Sequence, residues 1–99
     1  MTRVWSDTMT VIELVAKELQ MSPKELEKES LRSYLEKRLL KVESEIFRLA
    51  KKFGVSSVFE LDKKLKDGRV REKDAFEEYF ALDHLESERD KIRALLKKL

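Results

Sequence analysis

One stretch of the chain, Ser22 to Gly54, constrains the fold more than any other. Its start is marked by Ser22-Pro23-Lys24-Glu25, a capping box with proline at the first helical position. Its end is marked by Gly54, because glycine readily adopts the left-handed conformation that closes many helices. At about 1.5 Å per residue, such a helix is roughly 45 Å long, more than a domain of this size can surround. The sequence therefore predicts one long helix that needs a partner along its length.

An apolar seam runs along the second half of this stretch. Its members recur at alternating steps of four and three residues, as in a coiled coil, and so share one helix face: Leu35, Leu39, Val42, Ile46, Leu49 and Phe53. We predict these residues as a dimer or hairpin seam. The spacing alone leaves the partner open, because a returning segment, a second copy or another protein can cover the same face.

Shorter helices are predicted on both sides of the long one. Capping-box sequences open an amphipathic helix over 10–21 and a short connector helix over 57–68. A last helix runs over about 72–98, antiparallel to the seam. Its apolar side is formed by Ala75, Phe76, Tyr79, Phe80, Leu82, Leu85, Ile92, Leu95, Leu96 and Leu99.

The charge pattern favours that antiparallel hairpin. Residues 71–88 hold two basic and seven acidic residues, a net charge of −5, whereas residues 37–52 hold six basic and two acidic residues, a net charge of +4. The basic tail 89–99 would then lie beside the acidic start of the long helix. Exposed ion pairs contribute only about 0–1 kcal/mol each, so the pattern selects an orientation more than it stabilises the fold.

Composition agrees with a mainly α protein. Charged residues make up 42% and apolar residues 41% of the chain, with two glycines and one proline, which is typical of long amphipathic helices. The net charge of +2 is too balanced for bulk electrostatics to imply nucleic-acid binding, so any such surface is local. Without cysteine, a signal peptide or a long apolar run, we expect a cytoplasmic protein with no membrane span.

Catalytic and metal sites are not indicated. His84 is the only histidine, and we interpret it as a partly exposed residue that pairs with Glu88. The chain has no glycine-rich phosphate loop and no Ser-His-Asp set. We therefore expect a protein that is not an enzyme and needs no metal or cofactor.

The segments LVAKELQMSPKEL (14–26) and ESLRSYL (29–35) resemble the two helices and intervening turn of ribbon–helix–helix DNA-binding proteins, many of which are antitoxins. The resemblance covers about residues 3–40, with Gln20 where that family usually has glycine. In such proteins, two copies pair their N-terminal strands into a ribbon that enters the DNA major groove. The start of the second helix contacts phosphate.

This resemblance implies a dimerising segment over 1–40 that binds double-stranded DNA through Arg3, Ser22 and Lys24. The residues around Arg3 form either a very short strand or a frayed terminus. Ser22 and Lys24 lie at a helix N-terminus, where backbone N–H groups can hold a phosphate oxygen. The simpler alternative is that Ser22 only caps the helix.

Beyond the resemblance, residues 41–99 form a helical hairpin extension that shares the long helix 22–53. Phe76, Tyr79 and Phe80, with their charged flanks, resemble a recognition helix and are predicted to bind a protein partner, which in an antitoxin is the toxin. Alternatively, these rings pack within the chain on Phe47, Phe53 and Phe59.

Two functions are consistent with these patterns. The first is an antitoxin-like protein that neutralises a toxin through its C-terminal helices and binds operator DNA as a homodimer. The second is a helical adaptor or homo-oligomerisation module that does not bind DNA.

Overall fold

The computed structural model describes residues 9–68 and 72–99, and within them it contains four α-helices and no strand. Helix α1 spans Val11–Glu18, α2 spans Pro23–Phe53, α3 spans Val58–Lys66 and α4 spans Glu72–Lys97. The prediction of a mainly α protein with one long helix and a C-terminal hairpin is confirmed. The strand considered around Arg3 lies outside the described residues.

The predicted caps explain where α1 and α2 begin. The Thr10 hydroxyl accepts from the Glu13 N–H at 3.2 Å, and the Glu13 carboxylate accepts from the Thr10 N–H at 2.9 Å, a complete capping box. At α2, the Ser22 hydroxyl accepts from the Glu25 N–H at 3.0 Å. These bonds satisfy backbone N–H groups that have no partner within the helix, so both starts are fixed by local chemistry.

Helix α1 is shorter than the predicted span 10–21, because the chain turns at Gln20. Gln20 has φ 60°, and the N–H of the next residue, Met21, donates to the Ala16 carbonyl at 2.8 Å. The Gln20 N–H donates to the Lys17 carbonyl at 3.1 Å, which completes a Schellman motif. Gln20 thus adopts the left-handed conformation that glycine, usual at this position in ribbon–helix–helix proteins, adopts at no steric cost.

The predicted seam is covered by α4 of the same chain. Its central residues Val42, Ile46 and Leu49 are buried, while its outer members Leu35, Leu39 and Phe53 are partly buried against them. The rest of this core is supplied by the turn after α2 and by the two later helices, through Val55, Leu61, Leu82 and Ile92. The seam therefore forms a hairpin within one chain.

Three ion pairs cross between α2 and α4. Two of them, Arg38–Glu88 and Lys52–Glu78, join the basic segment of α2 to the acidic segment of α4 in antiparallel order, as the charge pattern predicts, and the third, Glu43–Arg93, has the opposite polarity. Arg38 pairs with Glu88 at 2.5 Å, Glu43 with Arg93 at 2.8 Å, and Lys52 with Glu78 at 2.7 Å. All of these side chains are partly or largely exposed, so the pairs favour one orientation and the apolar core supplies the stability.

The predicted apolar side of α4 is wrong in part, because Phe76, Phe80 and Leu95 are exposed. Phe76 and Phe80 stand roughly half a turn around the helix from Leu85 and Leu96, which pack on the core. The apolar residues of α4 are thus divided between two faces, one on α2 and one directed outward.

The molecule is elongated, with extents of 64 × 26 × 16 Å and a radius of gyration of 20.7 Å. A compact domain of about 100 residues would have a radius of gyration of about 13 Å. Helix α1 packs on α2, and α4 packs on both α2 and α3. Among the described helices, none is both long and apolar enough to cross a membrane.

Candidate partner-binding surface

Helix α3 is fixed to both long helices by polar contacts at its two ends. The Val58 N–H at its start donates to the Glu86 carboxylate of α4 at 2.8 Å. Nearer its end, Lys64 Nζ donates to the carbonyl oxygens of Phe53 at 2.9 Å and Gly54 at 3.3 Å, which close α2. Since Leu61 is fully buried beneath these contacts, α3 has a defined position against α4.

The predicted partner-binding rings lie on α4 beside α3. Phe76 and Phe80 stack edge to face with centroids 4.9 Å apart, and Tyr79 meets Phe80 in the same way at 5.4 Å. Tyr79 packs against the core, whereas Phe76 and Phe80 are each 53% exposed. The structure therefore brings all three together, with two rings open to solvent.

A groove of about 390 Å³ lies between these rings and α3. We call it the aromatic groove; its lining residues are Asp62, Leu65, Lys66, Phe76, Tyr79 and Phe80. Lys66 Nζ and the Asp62 carboxylate pair at 3.1 Å on the α3 side. The groove thus combines an apolar floor with one charged pair, a composition suited to an apolar side chain of another protein.

The alternative arrangement, in which these rings pack on Phe47, Phe53 and Phe59, holds only in part, because Tyr79 and Phe53 both pack against the core. Phe47 and Phe59 are 68% and 77% exposed, too open to enclose Phe76 and Phe80 in an aromatic core. The sequence analysis missed the α3 side of the groove. The only signal for it was the pair Asp62 and Lys66, four residues apart and hence neighbours on a helix surface.

Two carboxylates in this part of the molecule are held in the ionised form. The hydrogen bond from Lys52 lowers the pKa of Glu78 below its ordinary value of 4.5. The pKa of Glu60 is also lowered, first because it accepts from the Ser56 hydroxyl and then because it accepts from the Ser56 N–H at 3.1 Å. The Lys52–Glu78 pair links α2 to α4, whereas the bonds between Ser56 and Glu60 are local to the start of α3.

The predicted DNA-binding residues are only partly within the described chain. Arg3 lies outside it, whereas Ser22 and Lys24 are exposed at the start of α2. The C-terminal end of α4 reaches this point, as the charge pattern predicts: one shallow groove is lined by Lys24, Glu27, Lys28, Leu31, Lys98 and Leu99. Ser22 acts as the helix cap, and Lys24 is exposed in the first turn of α2.

His84 lies beside Glu88, as the sequence predicts. Its Nε2 lies 3.6 Å from the Glu88 carboxylate, which also pairs with Arg38, and its side chain is 78% exposed. Across residues 9–68 and 72–99, no three His, Asp or Glu side chains converge in a way that suits a metal ion.

A protein family matches nearly the whole chain. The model of the "Uncharacterized protein MJ0235 family" matches residues 6–99. No curated protein and no solved structure matches the chain.

Proposed function

We propose that this chain, which belongs to the uncharacterized protein MJ0235 family, is a cytoplasmic, non-enzymatic, antitoxin-like protein that binds a protein partner in the aromatic groove. The observation that carries the proposal is the half exposure of Phe76 and Phe80 on a rigid helix pair. Exposed aromatic rings in a groove are costly to leave in water, and they are the residues that dominate protein–protein interfaces.

The anchoring of the groove supports this role. Because Glu78 is tied to Lys52 and the start of α3 to Glu86, the helices on both sides of the groove are held before a partner arrives. A preformed groove loses little conformational entropy on binding. Such a groove suits the apolar face of a helix or an extended segment with one bulky side chain.

The partner to test first is the protein encoded by the neighbouring reading frame, since a toxin is usually encoded beside its antitoxin. We expect the two proteins to associate when expressed together. The double substitution Phe76→Ala and Phe80→Ala should weaken the affinity at least about 30-fold, corresponding to roughly 2 kcal/mol for a central aromatic anchor. Calorimetric titration measures the affinity, and rescue of growth measures neutralisation.

Phe59→Ala is the matched control, because Phe59 is an exposed phenylalanine of α3 that does not line the groove. It should leave the affinity unchanged. Equal losses in the control and the double variant would remove the aromatic groove as the binding surface. If the two wild-type proteins do not associate, the antitoxin-like function is wrong.

DNA binding is a separate part of this proposal, supported by the exposed Lys24 at the N-terminus of α2 and by the resemblance of residues 3–40 to ribbon–helix–helix proteins. A gel-shift series with DNA from upstream of the gene should show binding that weakens steeply as salt rises. Lys24→Glu should weaken it further, whereas Lys63→Glu, an equal charge change on exposed α3, should not. The absence of a shift at every salt concentration would favour the helical adaptor.

A further inference from the structure

Helix α2 has a second apolar face that the hairpin does not use. Leu40 and Phe47 are 67% and 68% exposed, and they point roughly opposite to Val42 and Leu49, which face α4. The two exposed residues are seven positions apart, which places them two turns apart on one line along the helix. This pair is the most exposed apolar pair of α2 and has no partner among the core residues.

A groove of about 540 Å³ adjoins this face at the end of α2. Its lining residues come from α2 and the turn that follows it: Glu43, Ile46, Phe47, Ala50, Lys51, Val55 and Ser56. The groove is large enough for a leucine side chain and lies one to three turns from Leu40 along the same helix. The exposed apolar side chain of Leu40 and an apolar groove thus lie on the same face of α2.

We propose that this face binds a second copy of the chain, with the two α2 helices antiparallel. A twofold contact requires a surface that is complementary to itself. If Leu40 of each copy meets Phe47 of the other, the twofold axis passes between Glu43 and Ser44. Each Leu40 then enters the groove of the other copy, and one face supplies both halves of the contact.

Charges along the same face match this register. In the antiparallel arrangement, Glu36 of each copy comes level with Lys51 of the other, so two opposite-charge pairs flank the apolar centre. Both side chains are exposed in the single chain. A parallel arrangement would instead set each of these charges beside its own copy, which is unfavourable. The charges of Glu36 and Lys51 thus favour a second copy of the chain whose α2 runs antiparallel to the first.

The centre of the contact also avoids repulsion and steric crowding. The Glu43 carboxylate is already paired with Arg93 at 2.8 Å, so two bare carboxylates do not meet near the axis. The Ser44 hydroxyl donates to the Leu40 carbonyl at 2.9 Å, which leaves a small residue with a satisfied polar group where the helices cross. Small residues at a crossing allow close approach of two helices.

The first experiment measures the mass of the assembly by sedimentation equilibrium of the full chain. Phe47→Glu should lower that mass about twofold, because it places a charged side chain at the apolar centre of the contact, where burial is costly. Phe59→Glu, the same change at an exposed phenylalanine of α3, should leave the mass unchanged. A monomeric wild-type chain, or an unchanged mass in Phe47→Glu, overturns the proposal.

The second experiment tests the register through cross-linking. The chain has no cysteine, so Ser44→Cys introduces a single thiol next to the twofold axis. It should form a disulfide-linked dimer on mild oxidation, whereas Lys41→Cys, on another exposed side of α2, should react much more slowly. Equal cross-linking at both positions overturns the register. The proposed contact between copies is separate from the aromatic groove. If the double variant Phe76→Ala and Phe80→Ala loses the dimer while Phe47→Glu keeps it, the proposal is overturned.

Discussion

The two ends of α2 are stabilised in different ways. Around residues 35–96 the hairpin encloses a continuous core, whose buried members are Val42, Ile46, Leu49, Ala50, Val55, Leu61, Leu82 and Ile92. Over residues 9–34, Ala16 is the residue that is buried, and Val11, Val15 and Leu19 of α1 remain exposed. The hairpin therefore contains the apolar core, whereas α1 is held by its caps and by its contact with α2.

The same helix ending occurs in both regions with different residues. After α2, Gly54 has φ 65° and the Val55 N–H donates to the Ala50 carbonyl at 2.9 Å. After α1, Gln20 has φ 60° in the equivalent place. A non-glycine residue in the left-handed region costs about 1 kcal/mol or more. The N-terminal region therefore carries backbone strain at Gln20, where α1 ends, whereas glycine avoids such strain where α2 ends.

The largest expected effect is on the free energy of unfolding, when truncation of a side chain leaves a cavity in the hairpin core but not in α1. Leu82→Ala removes a fully buried side chain from the hairpin core and should lower the free energy of unfolding by about 2–5 kcal/mol. Leu19→Ala, the same change at an exposed residue of α1, should cost less than about 0.5 kcal/mol. Urea denaturation measures both values. Similar losses would show that α1 belongs to the same cooperative core.

A smaller effect tests the two helix endings. Gly54→Gln should destabilise the hairpin by about 1–2 kcal/mol, because the left-handed conformation and not crowding limits this site. A Cβ at Gly54 would meet Lys64 Nζ only at 3.5 Å, an ordinary contact. Gln20→Gly should slow amide exchange within α1 and leave α4 unchanged. Faster exchange in α1 would contradict strain at Gln20.

The smallest expected effect is on pH dependence. Because hydrogen bonds lower the pKa of Glu78 in the folded hairpin, the unfolded chain binds more protons below about pH 4.5, and stability is lost as the pH falls through that range. Glu78→Gln should therefore reduce the fall in melting temperature between neutral pH and pH ~3. Glu77→Gln, at the exposed neighbouring position, is the control. A parallel decline in wild type and Glu78→Gln would exclude this contribution.

The Glu13 carboxylate in the N-terminal region also accepts hydrogen bonds in the folded chain. The pKa of Glu13 is lowered, first by the Thr10 N–H and then by the Thr10 hydroxyl, both of which donate to its carboxylate. Acid should thus loosen α1 through its cap and the hairpin through its crossing pair. The two losses can be followed separately, since one is local to α1 and the other affects the global transition.

Much of the fold could be predicted from the sequence because its signals are local. Ser22 and Gly54 mark the ends of α2 by their own capping chemistry, and the opposite charges of 37–52 and 71–88 indicate the antiparallel hairpin. The turn after α1 was predicted, but the left-handed conformation of Gln20 within it was not, since a residue other than glycine rarely adopts that conformation.

The candidate site was less predictable than the fold. Phe76, Tyr79 and Phe80 were found because an aromatic cluster in a charged helix is conspicuous. Which of them face solvent depends on where α3 lies around α4, and that position is set by the distant contact between Glu86 and Val58. Periodicity within one helix carries no information about such a contact, so the residues of α3 that line the groove were missed.

The unbroken course of α2 has a geometrical consequence. Its 31 residues extend for about 46 Å, and after Pro23 in the first turn the helix contains no proline or glycine. Bulky molecules attached at opposite extremities would therefore remain apart, and neither would shield the other sterically. The length of α2 thus sets an upper limit of about 46 Å on the distance between groups at its two ends.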